Sequence, residues 1–513
     1  MPNSPESLIQ PLDRYNQALL NHVHPLDWQN PDPAKCYDLV VIGAGTAGLV
    51  VAAGAAGLGL GLKIALIEKH LMGGDCLNVG CVPSKALIRV GRAVAEIQAA
   101  HSFGIDLPEA IAVNFDQVME RMRRLRASIS ENDSVQRFQQ LGIDVFLGSA
   151  QFINTKALEV NGLRLNFKKA VIATGARATD PQVSGLLEAG FLTNESVFSL
   201  TTRPKRLAVI GGGAIGCELA QTFQRLGSEV TLIHRNPRLL NREDADAAAI
   251  IQERLAQEGV TLILGANLER VEKKGKNKAI FYQQNGVNVS LEVDEILVGV
   301  GRSPNVEGLN LETADVAYNQ RQGVIVNDYL QTTNPAIYAA GDICMNWKFT
   351  HAADAAARIV LKNLLFSPFG LGRSKLSNLV MPWVTFTDPE VAHVGLYAAE
   401  AHALGLDTNE IKIPCSAIDR AILDDQTAGF VKILYQQGSD RILGATIVAS
   451  HAGEMLSEIT LAIATKQGLN RLSGIIHAYP TQAEGIKKAA DAYRKTLLTD
   501  RTRSFLKFLT WFS

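Results

Sequence analysis

The run YDLVVIGAGTAGLVVAAGAA, from Tyr37, constrains the fold more than any other stretch of the chain. A short apolar segment meets glycines at 43, 45 and 48 and then a series of small residues. That order reads as a buried strand, a tight turn and a helix packed closely on the strand. The next segment, KIALIEK, reads as a second strand ending at Glu68, twenty residues after Gly48, where an acid holds a ribose hydroxyl. A lone GxGxxG means little; strand, turn, helix, strand and terminal acid together specify a dinucleotide-binding unit. Leu39 to Leu62 also runs twenty-four residues without a charge, long enough to cross a bilayer. Its seven glycines favour the strand-turn-helix reading.

The pattern recurs downstream as RLAVIGGGAIGCELAQTFQRLGSEVTLIHRN, with Gly211, Gly213 and Gly216 in the glycine positions. Two dinucleotides are implied. The second copy ends on His234 and Arg235 where an NADH-preferring site carries an acid, and Arg238 and Arg242 follow. Arginines there suit the 2′-phosphate of NADPH, against the plainer reading of a solvated surface.

Between the copies, GGDCLNVGCVPSK (73–85) holds two of the six cysteines. A disulfide closing so short a loop restrains the unfolded chain weakly, roughly 2 kcal/mol against about 4.7 for a hundred-residue loop, so a purely structural staple is disfavoured. A metal site needs further ligands, and Cys36, Cys217, Cys344 and Cys415 are scattered singly. Redox chemistry fits best, because Cys81 precedes Val82-Pro83-Ser84-Lys85, a helix start whose exposed N–H groups stabilise a thiolate. The formal net charge of −1 provides no electrostatic footprint for nucleic acid. The first residues lack the basic and apolar regions of a signal peptide, so a cytoplasmic location is expected.

The ordered motifs resemble those of the flavin-dependent pyridine nucleotide-disulfide oxidoreductases, the group of glutathione reductase, dihydrolipoamide dehydrogenase and mercuric reductase. Beyond the two fingerprints and the cysteine run they are AVIATGARA (170–178), VGVGRSPN (298–305), IYAAGDIC (337–344) and HAYPTQAEG (477–485). The resemblance covers about Tyr37 to Leu498 and implies an α/β fold: two Rossmann-like FAD- and NAD(P)-binding domains plus a C-terminal α+β dimerisation domain. The expected boundaries are an N-terminal extension over 1–35, a first FAD-domain part over 36–187 and the NAD(P)H domain over 188–305. The FAD-domain or central part then covers 306–375, the dimerisation domain 376–498 and an amphipathic tail 499–513.

The resemblance also assigns roles. FAD would lie on Gly43, Gly45, Gly48, Glu68, Thr174, Gly175 and Asp342, and NADPH on Gly211, Gly213, Gly216 and Arg235. Cys81 would form a charge-transfer thiolate against the flavin and Cys76 would be the outer interchange thiol, the two forming the redox disulfide. Lys85, one turn beyond Cys81, would pair with Glu218 near the flavin. A homodimer with an active site shared between subunits follows, as does a small-molecule or metal-ion acceptor, with no resident metal.

Disulfide-reducing members carry HPTxxE, whose histidine protonates the leaving thiolate. Here Tyr479 fills that position and Glu484 is retained. A phenol near pKa 10 is a poor proton shuttle beside an imidazole near 6.5. That departure points toward mercuric reductase-like chemistry on a soft metal ion, although no cysteine follows Cys415 to form the usual C-terminal pair. The alternatives are an NADPH-dependent reductase of disulfides, quinones or electrophiles, with His477 as a substitute acid, and a membrane-associated redox partner. The last rests on RTRSFLKFLTWFS, where Phe505, Leu506, Phe508, Leu509, Trp511 and Phe512 recur at near-helical spacing beside Arg501, Arg503 and Lys507. Packing on the dimer's own surface is the favoured reading of that tail. Two further expectations are a surface loop at the repeated Gly-Leu of 57–62 and a solvated face for the arginine run Arg121 to Arg126.

Overall fold

The computed structural model describes residues 9–107 and 111–511. The first eight residues of the extension and Phe512 of the tail lie outside the described residues. Two compact units are present: one comprises the chain through Gly211 with Thr222–Thr231 and Asn267–Leu379, the other Gly212–Gln221, Leu232–Ala266 and Val380 onward.

In the first unit, helix α1 (Arg14–Val23) precedes strand β1 (Tyr37–Ile42), helix α2 (Thr46–Gly57) and strand β2 (Ile64–Glu68). Helices α3 (Gly74–Val79), α4 (Cys81–Gln98) and α5 (Phe115–Ser130) follow, then strands β3 (Ile143–Leu147), β4 (Ala150–Asn154), β5 (Ala157–Val160) and β6 (Leu163–Ile172). These strands order as β3-β2-β1-β6-β5-β4, with Ile337–Ala339 added on β6. Pairing is parallel from β3 to β6, and β1 is buried along nearly its whole length, which is why it reads as an unbroken apolar run. Carboxyl ends of β1, β2 and β6 therefore meet at one edge, where a doubly wound sheet holds its ligand. The Gly-Leu repeat lies in the stretch between α2 and β2, with Leu58 and Leu60 exposed, as expected.

The second fingerprint supplies a strand over Arg206–Ile210, a helix over Ala214–Arg225 and a strand over Glu229–His234. The first of these pairs in parallel with Glu295–Val298. Three antiparallel strands cover Asn267–Lys274, Asn277–Gln284 and Val287–Val293. In the second unit a five-stranded antiparallel sheet runs Pro382–Thr385, Glu390–Gly395, Ile442–Ala449, Phe430–Gln436 and Thr408–Pro414 in spatial order. Helices Ala452–Ala464 and Glu484–Thr496 share its core, an α+β arrangement.

One expectation is corrected here. The arginine run is not a solvated face: Arg123 is 8 % exposed and Arg126 2 % exposed, whereas Arg124 is exposed. Arg123 and Arg126 lie three apart on the apolar side of α5, beside Met119, Met122 and Ala127, and the extension packs over that side. Arg123 Nε donates to Asp13 at 2.5 Å, and Arg126 Nη2 to Asn16 Oδ1 at 2.7 Å. The tail forms a helix over Asp500–Thr510 with Phe505, Leu506, Phe508, Leu509 and Trp511 exposed on this protomer. Among the described residues, no helix is long and apolar enough to cross a membrane.

Candidate active site

At the β1–α2 turn, Gly48 sits so close to Gly43 that a Cβ there would fall 1.8 Å from the Gly43 carbonyl oxygen. Helix α2 starts with no side chain capping its amides, leaving its N-terminus free for a phosphate. Glu68 ends β2 with Oε2 accepting the Ala44 amide at 2.7 Å and Oε1 the His70 amide at 2.7 Å, while burial pushes its carboxyl up. A carboxylate delivered to the glycine turn beside an uncapped helix fits the adenosine half of FAD.

The redox segment is fastened to this turn. Gly73 donates its amide to the Ala44 carbonyl at 2.8 Å, and Gly74, at φ +57°, lies so close that a Cβ would be 2.7 Å from Gly45 Cα. Cys76 sits inside α3 and Cys81 opens α4. At the intervening Gly80 a Cβ would lie 2.7 Å from the Asp75 carbonyl oxygen and 3.3 Å from Cys76 Cα, so glycine lets the two helices fold back on one another. All six cysteines are thiols in this structure. The Cys76 thiol is pushed up first by its hydrogen bond with Cys81 and then by burial. Cys81 is the first residue of α4, where exposed helix amides favour negative charge.

Sequence reasoning missed Thr350. Its hydroxyl lies 3.3 Å from Cys81 Sγ and also bonds Cys76, opposing the upward push on that thiol. The signal was faint: Thr350 follows Asp342 of the AGD motif by eight residues and opens the helix Thr350–Leu365.

Arg302, inside a quoted motif but given no role, joins the remaining pieces. It pairs with Asp75 of the redox segment, with Asp342 at 3.3 Å, and donates to the Ala176 carbonyl at 2.6 Å. Burial raises the Asp342 carboxyl while Arg302 opposes it. Thr174 and Gly175 form a turn locked to Asn305: Thr174 Oγ1 donates to the Asn305 carbonyl at 3.0 Å, Asn305 Nδ2 returns to the Thr174 carbonyl at 2.9 Å, and the Asn305 amide reaches Gly175 O at 3.0 Å. The structure thus brings Cys76, Cys81, Gly45, Glu68, Thr174, Gly175 and Asp342 together in one unit.

In the second fingerprint, the Gly212 amide donates to His234 Nδ1 at 3.1 Å, so the ring proton sits on Nε2. That Nε2 is buried without a hydrogen-bond partner among the described residues, and the side of Gly213 where a Cβ would project is open. An orphaned donor beside an open glycine turn fits a dinucleotide. Arg238 braces the loop by donating to the Asn241 and Glu243 carbonyls at 3.2 and 3.0 Å, while Arg235 and Arg242 are exposed. Glu218 is buried and accepts the Phe386 amide at 2.9 Å; Lys85 is half-buried on α4.

In the C-terminal segment Tyr479 donates its hydroxyl to Asp419 Oδ2 at 3.0 Å, a bond that raises the phenol's pKa. Glu484 instead faces Lys488 at 3.6 Å, and Lys488 also reaches Asp419 at 3.4 Å. His477 Nε2 lies 3.0 Å from both oxygens of Glu458. Neither Asp419 nor Glu458 was legible as a partner, being remote in sequence. Among the described residues no group of three or more His, Cys, Asp or Glu side chains is arranged to hold a metal ion.

Residues 37–357 match the pyridine nucleotide-disulphide oxidoreductase family, and 381–490 match its dimerisation domain. A mercuric reductase of Staphylococcus aureus is 36% identical over 459 residues, covering 90% of this chain and 83% of that protein. A dihydrolipoyl dehydrogenase of Thermus scotoductus is 35% identical over 476 residues, covering 90% and 98%. Among solved structures, the HOCl-induced flavoprotein disulfide reductase RclA from Escherichia coli, as a Cu(II) complex, superposes with a TM-score of 0.79 at 28% identity over 90% of this chain and 100% of that one. The glycine turns, the thiol pair and these matches agree: the chain belongs to the pyridine nucleotide-disulphide oxidoreductases, flavin-dependent enzymes that draw electrons from a pyridine nucleotide and carry a dimerisation domain.

Proposed function

We propose that this enzyme is a cytoplasmic, homodimeric, mercuric reductase-like flavoprotein that passes electrons from NADPH through FAD and the Cys76–Cys81 pair to a soft metal ion. The observation that carries the reading is the commitment of the Tyr479 proton to Asp419. A phenol so engaged is withheld from a departing thiolate, while its oxygen keeps lone pairs for an incoming cation. Relatives named mercuric reductase and a relative solved with Cu(II) support a thiophilic ion as the acceptor.

FAD, when bound over Gly43, Gly45, Gly48, Glu68, Thr174, Gly175 and Asp342, supplies two-electron transfer between the nucleotide and the thiols. The chain's own residues do the rest. Gly211, Gly213 and Gly216 seat the pyrophosphate of NADPH, and Arg235 holds its 2′-phosphate. Lys85, one turn beyond Cys81 on α4, sets the local charge beside the thiol pair. Cys76 and Cys81 release their protons to solvent and ligate Hg(II) as thiolates; two electrons from one hydride equivalent reduce it to elemental mercury, which leaves, and the two thiolates are free to take up protons or the next ion. Tyr479 and Glu484 act from the partner subunit's copy of the segment. The tail packs on the dimer's own surface, with weak peripheral membrane contact as the alternative.

A second reading, disulfide reduction, is favoured by the His477–Glu458 pair, a carboxylate-held imidazole two residues from Tyr479. One comparison separates them: Hg(II)-dependent NADPH oxidation with detection of elemental mercury, in wild type and Cys76→Ala, beside turnover of oxidised glutathione and lipoamide. Mercury vapour from wild type alone is expected. Brisk disulfide reduction without mercury rejects the metal reading and makes His477 the acid to test.

A further inference from the structure

The described part of the N-terminal extension is built into the first unit at the redox segment. Helix α1 is capped by Asp13, whose Oδ1 accepts the Tyr15 and Asn16 amides at 3.1 and 2.9 Å and whose Oδ2 takes Arg123. Asn16, Leu19, Leu20 and Val23 are buried. From the far end of α1, the Val23 carbonyl accepts the Met72 amide at 3.2 Å, just ahead of Gly73, and His24 Nδ1 meets the His70 carbonyl.

Arg126 joins this helix to the cysteines. Its guanidinium is a planar fork that donates Nη2 to Asn16 Oδ1 at 2.7 Å and Nη1 to the Asn78 carbonyl at 2.6 Å. Asn78 lies between Cys76 and Cys81, and its own side chain ties Met72 O and Gly74 O at 3.0 and 2.8 Å. One turn and a half earlier on α5, Arg121 donates to the Ala86 carbonyl of the Cys81 helix at 3.2 Å. Helix α5 thus grips both cysteine helices, and α1 locks α5. A buried guanidinium that merely filled space would be costly, so its two short bonds are the reason it is tolerated.

We propose that α1 is a positioning element of the redox centre, with Arg126 transmitting it and Asn16 as its anchor. This rests on the assignment of Cys76 and Cys81 as the redox pair. The mechanical content is definite: the segment from Met72 to Asn78 is held at both ends by α1, directly at Met72 and through Arg126 at Asn78. Releasing the second tie lets the cysteine loop shift without removing a thiol.

The test uses the full chain loaded with FAD. Two signals are read: the long-wavelength absorbance on anaerobic addition of one equivalent of NADPH, and the ratio of iodoacetamide labelling at Cys76 and Cys81 by mass spectrometry. Asn16→Ala, which removes the acceptor of Arg126 and also the Nδ2 donor to the Pro11 carbonyl at 2.7 Å, should weaken the absorbance and change the labelling ratio by about two- to tenfold, the range of the one lost bond to Arg126. Asn16→Asp, which keeps an oxygen acceptor for Arg126 but loses the donor to Pro11, should restore both. Arg126→Lys, a point donor unable to bridge both acceptors, should follow Asn16→Ala, and Arg14→Ala, which breaks an exposed pair with Glu120 and a contact with its neighbour Tyr15 but no tie to the cysteine segment, should match wild type. If Arg126→Lys fails to retain FAD, the Asn16 pair decides alone. A wild-type band and labelling ratio unchanged in Asn16→Ala overturn the positioning role and leave the redox pair standing. A wild type with no such band overturns the redox assignment and the proposal with it.

Discussion

Replacing Gly74 by alanine should loosen the junction between the redox segment and the nucleotide turn, and the structure sets the size of the effect. The new Cβ would lie 2.7 Å from Gly45 Cα, at least 0.7 Å inside the shortest ordinary contact of 3.4 Å. Its neighbour is backbone with no rotamer to yield. The position also has φ +57°, where a side chain costs about 1–2 kcal/mol. Adding about 1–3 kcal/mol for an overpacked contact brings the total to roughly 2–5 kcal/mol, a large part of a domain's net stability. Gly57 is the control: it ends α2 with nothing within 4 Å of a new Cβ, so Gly57→Ala should be neutral or stabilising by up to about 1 kcal/mol. Heating while following flavin fluorescence reads the unit that holds FAD. Gly74→Ala should release flavin roughly 3–10 °C below wild type, and Gly57→Ala at or slightly above it. Equal release temperatures for Gly74→Ala and wild type would falsify the close packing of the two glycine turns.

Thr350→Val removes the hydroxyl that opposes the upward push on the Cys76 thiol, so iodoacetamide labelling at a fixed neutral pH should slow by about three- to tenfold; an unchanged rate removes Thr350 from the site. Burial lowers the His393 pKa to about 4, below the ordinary 6.5, so the folded state is penalised once the unfolded ring takes up its proton. That stability is complete above pH 6.5 and falls by roughly 3 kcal/mol on the way down to about pH 4. Urea unfolding across that window should show the slope in wild type and lose it in His393→Phe, which keeps the stack with Trp383 and Tyr397. Arg235→Ala should reduce the preference for NADPH over NADH by roughly ten- to a hundredfold, chiefly in KM; an unchanged ratio returns Arg235 to the solvated surface.

What the sequence determined by itself is everything local. Gly43 and Gly48 announce a turn because a Cβ at either would run into backbone, and Glu68 is legible because strand length fixes how far it stands from the turn. Cys81 at a helix start is legible for the same reason, as are the second glycine turn and the substitution of Tyr479 for histidine. Tertiary structure decided the partners. Arg126 reads as a surface charge in any window of sequence, because an arginine on an apolar helix face is buried only if acceptors arrive from elsewhere. Here they come from Asn78 and from Asn16, 48 and 110 positions away. Thr350 meets Cys81 across 269 positions, Arg302 meets Asp75 across 227, and Asp419 accepts the Tyr479 hydroxyl across 60. A hydrogen bond has no sequence period when its two ends are brought together by packing, so the place of the two thiols at a helix start was readable while the groups that hold them were not.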